Sequence, residues 1–199
     1  MTVTSPEPPT ESPTRRKPRK VFLLVGLVLA LGLGVGLFTS VGTSKNSGAP
    51  HKGSAVPSFT GENLNGSGSV TVSAAASGTP TVLLFFGKWC PQCHAELPPL
   101  AASVRQAKSN GGALSALRVV GVDSEDTVAN AKSFIASSGV TFTVAYDPNL
   151  DITSGDFYFE GDPFAVFVNG NGTINAIVRG PMSVAAFTAH ERAITPSGS

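Results

Sequence analysis

The run Thr81–Phe86 reads TVLLFF, without the alternation that a strand with one wet face shows. A continuous apolar run of this kind is expected of a central strand covered on both faces. It leads at once into Trp89-Cys90-Pro91-Gln92-Cys93-His94, after which Leu97, Leu100, Val104 and Ala107 mark one stripe of a helix. A buried strand that hands over to an amphipathic helix commits the chain to layered α/β packing. The neighbouring segments agree. Ser69–Ser73 alternates like a half-buried strand, and Leu117–Val122 reads as a second buried one. Thr127–Ser138 reads as a helix, with N-cap candidates at Asp123–Asp126 and Gly139 just past its end. Thr141–Ala145 is a strand before a Pro/Asn/Asp-rich turn. Phe164–Val168 and Thr173–Val178 flank Asn169-Gly170-Asn171-Gly172, a hairpin signal. Ser183–Ala193 closes as a helix. The expected body spans 57–195, with a tail at 196–199: an α/β domain with a mixed central sheet and helices on both faces.

Ahead of this body the composition changes. Residues 1–20 carry a Pro/Thr/Ser-rich stretch and the basic cluster Arg15–Lys20, and are expected to be a disordered cytoplasmic head. Val21–Phe38 then holds 18 residues with no polar side chain. At about 1.5 Å rise per residue such a run approaches the ~30 Å hydrocarbon core of a bilayer. A transmembrane helix is expected over 21–42, with its basic flank inside and the rest of the chain outside the cytoplasm. A cleaved signal peptide is the alternative, but the run is long for one and lacks a clear A-x-A-like site. Residues 43–56 are small and polar, as in a flexible linker. The 14 Lys and Arg and 13 Asp and Glu are unevenly shared. The basic surplus lies in the head and the body is slightly acidic, which speaks against nucleic acid as a partner.

The two cysteines are too few for a disulfide scaffold or a four-thiolate zinc site. At i and i+3 on a helix's first turn they share a face and fall within disulfide reach. Free backbone N–H groups and the positive helix end favour a thiolate on the first of them. Cys90 is therefore expected to be the exposed nucleophile and Cys93 the shielded resolving thiol. A bridge closing so small a loop contributes only about 2 kcal/mol as a staple, so the pair suits a redox couple better.

These residues resemble a known family. Phe86–Pro98 (FGKWCPQCHAELP) looks like the active-site segment of thioredoxin-fold proteins, nearest to the membrane-anchored TlpA/ResA-like thiol–disulfide oxidoreductases with W-C-x-x-C-x-x-E-x-P. Pro98 matches the proline inside that active-site helix, and Glu160–Phe164 (EGDPF) looks like the cis-proline loop. The resemblance implies a thioredoxin-like fold, a cis Pro163 beside the disulfide, and an Asp162 backbone free to pair with an extended substrate. It makes Glu96, three residues after Cys93, a candidate to exchange a proton with the resolving thiol. Trp89, Pro91 and Gln92 become candidate substrate contacts, and Lys88 a possible support for the Cys90 thiolate. No cofactor or metal is implied, because the Cys90–Cys93 dithiol carries the electrons. The implied partners are exported thiol or disulfide proteins, in a reductive role such as cytochrome c maturation, and a membrane thiol carrier that supplies electrons. An oxidant that forms disulfides is the alternative. Departures are Leu84, where soluble thioredoxins bury an aspartate, and Asp162, whose carboxylate near Cys90 opposes a thiolate and repels acidic substrates.

Cys90-x-x-Cys93-His94 also matches the C-x-x-C-H pattern of covalent haem attachment, with His94 as one axial ligand and Met182 or His190 as the other. The α/β surroundings of the motif argue against this reading. A metal site on Cys90, Cys93 and His94 lacks an evident fourth ligand.

Overall fold

The computed structural model of the chain describes residues 48–111 and 113–195. The expected head at 1–20, the transmembrane helix over 21–42, the first part of the linker and the tail at 196–199 lie outside the described residues. Among the described residues no helix is long and apolar enough to cross a membrane.

In chain order the elements are β1 (Phe59–Asn63), β2 (Ser69–Val72), β3 (Thr81–Phe86), α1 (Pro91–Asn110), β4 (Arg118–Ser124), α2 (Val128–Ser137), β5 (Thr143–Asp147), β6 (Phe164–Val168), β7 (Ile174–Arg179) and α3 (Val184–Ile194). They build one mixed sheet in the order β2-β1-β5-β4-β3-β6-β7. β3 is interior, parallel to β4 and antiparallel to β6, and all its residues are buried. Alternate β3 side chains serve two cores. Val82, Leu84 and Phe86 join one cluster, Leu83 and Phe85 the other. The TVLLFF run thus reflects burial on both faces.

The two faces are covered differently from expectation. The buried apolar residues of α1, α2 and α3 all fall in the first cluster. The second face is covered by Val56, by β1 and β2 side chains, and by Ile152, Phe157 and Phe159 from a π-helical turn (Asp151–Asp156) and the loop after it. The cause is topological. The steps β3→β4→β5 move in one direction across the sheet, so right-handed crossovers carry α1 and α2 over the same face.

Other differences are local. β1 (FTGEN) carries little apolar signal and owes its place to pairing with β2 and β5. The π-helical turn stands where only a turn was expected. Asp147 holds it, its carboxylate accepting the N–H groups of Ile152 and Thr153 at 3.1 and 2.7 Å. The N-cap of α2 is Thr127, whose hydroxyl accepts the Asn130 N–H, and not a residue of Asp123–Asp126. Pairing also starts before residue 57. The Gly53 and Val56 N–H groups donate to Ile174 and Gly172 carbonyls at 2.8 and 3.0 Å, because buried Val56 ties this stretch to the second core.

Candidate active site

β3 ends at Phe86, and the chain turns through Gly87-Lys88-Trp89 into α1. Two groups of the 123–126 segment shape that turn. The Asp126 carboxylate accepts the Lys88 N–H at 2.5 Å, and the Ser124 carbonyl accepts the Trp89 indole N–H at 2.9 Å. Gly87 permits the approach, since a Cβ there would collide with the indole and come within 2.8 Å of the Ser124 carbonyl oxygen. Cys90 then sits at the N-cap of α1 with Pro91 at the first turn. Its Sγ accepts the Cys93 N–H at 3.1 Å, the placement in which helix-end donors hold negative charge on sulfur. No acidic residue occupies the first turn of α1.

Cys90 and Cys93 form a disulfide with Cα atoms 5.3 Å apart. Both residues are buried, at 0% and 1% exposure. The expected contrast between an exposed Cys90 and a shielded Cys93 is therefore absent from the disulfide form. Cys90 is folded back on the helix end, with its N–H donating to Gly87 O at 3.1 Å. Exposed groups at the mouth include Trp89, 46% exposed, Pro91 and Gln92.

Beneath the bridge a cavity of about 10 Å³ is bordered by Cys93, Glu96, Leu84 and Pro163. Glu96 is half-buried on the Cys93 side of α1. Its Oε2 has no hydrogen-bond partner, and burial raises its pKa to about 7, against the opposing pull of the Met182 backbone N–H. A carboxyl group poised there can accept or return a proton near neutral pH. The Asp162–Pro163 peptide bond is cis, and Pro163 borders the same cavity. The Asp162 backbone makes no hydrogen bond to another described residue. Its carboxylate accepts the Ser124 hydroxyl, while burial, against that bond, raises its pKa to about 6.

Some residues are engaged elsewhere. Lys88 Nζ donates to Asn130 Oδ1 at 3.1 Å, in the first turn of α2. The His94 ring pairs with Lys88 O at 2.7 Å and packs on Phe134. His190 stacks on Phe167. Among the described residues no group of three His, Cys, Asp or Glu has metal-binding geometry.

Two contributors escaped the sequence reading. Ser124 fixes both Trp89 and Asp162, yet in sequence it is one serine at the end of a strand. Asp123 is 0% exposed, and neither carboxylate oxygen has a partner. Burial, then the nearby Asp126 and Asp162, raise its pKa to about 8. Only the alternation along β4, which puts Asp123 on the same buried face as Val119, could have singled it out.

Residues 52–176 match the AhpC/TSA family. The thiol–disulfide oxidoreductase ResA of Bacillus subtilis (strain 168) is 27% identical over 170 residues, covering 84% of this chain and 89% of that one. ResA of Oceanobacillus iheyensis is 25% identical over 186 residues, 92% of this chain and 93% of that one. A solved structure of MTB DsbF, in mixed oxidised and reduced forms, superposes with a TM-score of 0.57 at 28% identity, over 69% of this chain and 95% of that one. With its paired cysteines at the helix end and its cis-proline loop, the chain belongs to the AhpC/TSA family, as a ResA-like thiol–disulfide oxidoreductase of thioredoxin fold.

Proposed function

We propose that the protein works outside the cytoplasm, tethered by the apolar run Val21–Phe38, and reduces disulfides in exported proteins. The observation that carries the chemistry is the Cys90–Cys93 pair at the α1 N-terminus, with Glu96 and Pro163 sharing the cavity beneath Cys93. In the reduced protein the Cys90 thiolate attacks a substrate disulfide. One Cys90–substrate S–S bond forms, the substrate S–S bond breaks, and one substrate thiolate leaves. Glu96 takes the Cys93 proton. The Cys93 thiolate then attacks Cys90 Sγ, closing the protein disulfide and releasing the second substrate thiolate. Two electrons pass to the substrate, and the dithiol itself is their carrier. A membrane thiol carrier returns the protein to the dithiol form. Reduction of disulfides formed between the cysteines of exported apocytochromes is one task that fits.

Asp162 supports the reductive direction. Its carboxylate adjoins Pro163 and is largely ionised at neutral pH, so it disfavours a nearby thiolate and favours the disulfide. A couple whose disulfide is the favoured form is a reductant. The unengaged backbone of Asp162 supports docking of an extended substrate segment. The test is insulin reduction by the full chain with dithiothreitol as electron source. Turnover by the native protein, its loss in Cys90→Ser, and a trapped mixed disulfide in Cys93→Ser are expected. Equal turnover in native protein and Cys90→Ser would refute the mechanism.

A further inference from the structure

The mouth of the site is acidic in a particular place. Glu125 follows Ser124 at the end of β4 with a φ of 56°, a left-handed conformation that few non-glycine residues adopt, and it is exposed. Glu160, also exposed, and Asp162 arrive from the loop before β6. All three line one pocket of about 20 Å³ together with exposed Trp89 and with Thr153. Thr153 is 2% exposed and its Oγ1 has no hydrogen-bond partner; Asp162 Oδ1 is likewise buried and unpartnered. The chain's own cations are turned elsewhere. Lys88 is bonded to Asn130, and the Arg179 guanidinium lies over the Phe159 ring, 4.5 Å from its centroid, in a neighbouring groove. Acceptors therefore converge beside an aromatic ring with no described Lys or Arg lining the pocket.

We propose that this pocket receives the ammonium group of a lysine of the partner polypeptide, close in sequence to the cysteine that pairs with Cys90. The enzyme thereby selects thiols set in basic segments. The inference rests on the disulfide-exchange reading above and names the substrate class for it. Carboxylates supply charge-assisted hydrogen bonds to such a head group, Trp89 offers a ring face for a cation, and Thr153 Oγ1 adds a neutral acceptor. Because Glu125 and Glu160 are exposed, their attraction is screened by salt.

The test uses the reduced full chain and two short peptides, each oxidised to an intermolecular disulfide, with Lys or Glu flanking the cysteine. Each exchange rate is divided by that peptide's own rate with dithiothreitol, which removes the effect of flanking charge on the peptide thiol. At low salt the Lys peptide is expected to react about tenfold faster, with the ratio falling toward unity at high salt. The double variant Glu125→Gln, Glu160→Gln is expected to bring the ratio close to unity even at low salt. Its oxidation state must still equilibrate with dithiothreitol like that of the native protein. Equal normalised rates for the two peptides, or a Lys preference that survives the double variant, would overturn the proposal. A native protein that exchanges with neither peptide nor dithiothreitol would overturn the exchange reading itself, and the pocket's role with it.

Discussion

At the scale of the residue, Glu96 is the group whose chemistry the fold changes most usefully. A glutamate on a wet helix face titrates near 4.5 and is a poor base at neutral pH. Half-buried, with one oxygen lacking a partner, Glu96 titrates at about 7. It is then mostly protonated at pH 6 and mostly ionised at pH 8, so it can accept the Cys93 proton only toward the alkaline side. The exchange rate of the native protein is expected to rise through an inflection near pH 7. In Glu96→Gln that inflection should vanish, with the rate at pH 8 falling about 10²-fold. Stopped-flow exchange against pH checks this, and an unchanged profile in the variant would remove Glu96 from the mechanism. In sequence this proposed role rests only on the family motif, because i+3 spacing from Cys93 shows the face and not the burial.

At the scale of elements, the site depends on the meeting of three chain segments: the β3–α1 turn, the end of β4 and the loop before β6. Ser124 is where they join, its carbonyl holding Trp89 and its hydroxyl holding Asp162. Ser124→Ala leaves the Asp162 carboxylate, already short of one partner, with no side-chain donor. Leaving a buried acceptor unpaired costs about 1–3 kcal/mol. An unfolding free energy lower by that amount in urea titration and a several-fold slower exchange are expected, with Ser124→Thr restoring both because it keeps the hydroxyl. An alanine variant of unchanged stability would contradict the assignment. Elements with strong local signals were legible from sequence: the TVLLFF run, the stripe of α1, the Asn-Gly hairpin and the closing helix all lie where their patterns put them. β1 and the π-helical turn were not, because partners distant in sequence create them. β1 follows from pairing with β5, and the turn from the Asp147 carboxylate.

At the scale of the molecule, several carboxyl groups are held away from water together. Glu96 and Glu191 titrate at about 7, Asp162 at about 6 and Asp123 at about 8, with burial the leading cause in each. In the unfolded chain they return to their ordinary values near 4. Between those limits the native state binds more protons than the unfolded one, so stability falls as pH rises from about 5 to about 8. The protein is expected to melt several degrees higher at pH 5 than at pH 8 by calorimetry. An equal or lower melting temperature at pH 5 would show that these groups are not buried as described. Six of the seven strands and the close Cys90–Cys93 pair were legible in sequence, but β1 and the gathering of α1, α2 and α3 on one face were not. Faces are set by the direction in which successive strands step across the sheet, and single-strand patterns carry no record of it.

The central claim is that the Cys90–Cys93 couple donates electrons. Its most direct test is the reduction potential of the full chain, measured by equilibration with defined dithiothreitol or glutathione ratios and thiol trapping. A reductant is expected near the thioredoxin end of the scale, about −270 mV, and this is the predicted result. A value near about −120 mV would make the protein an oxidant and contradict the reductive role.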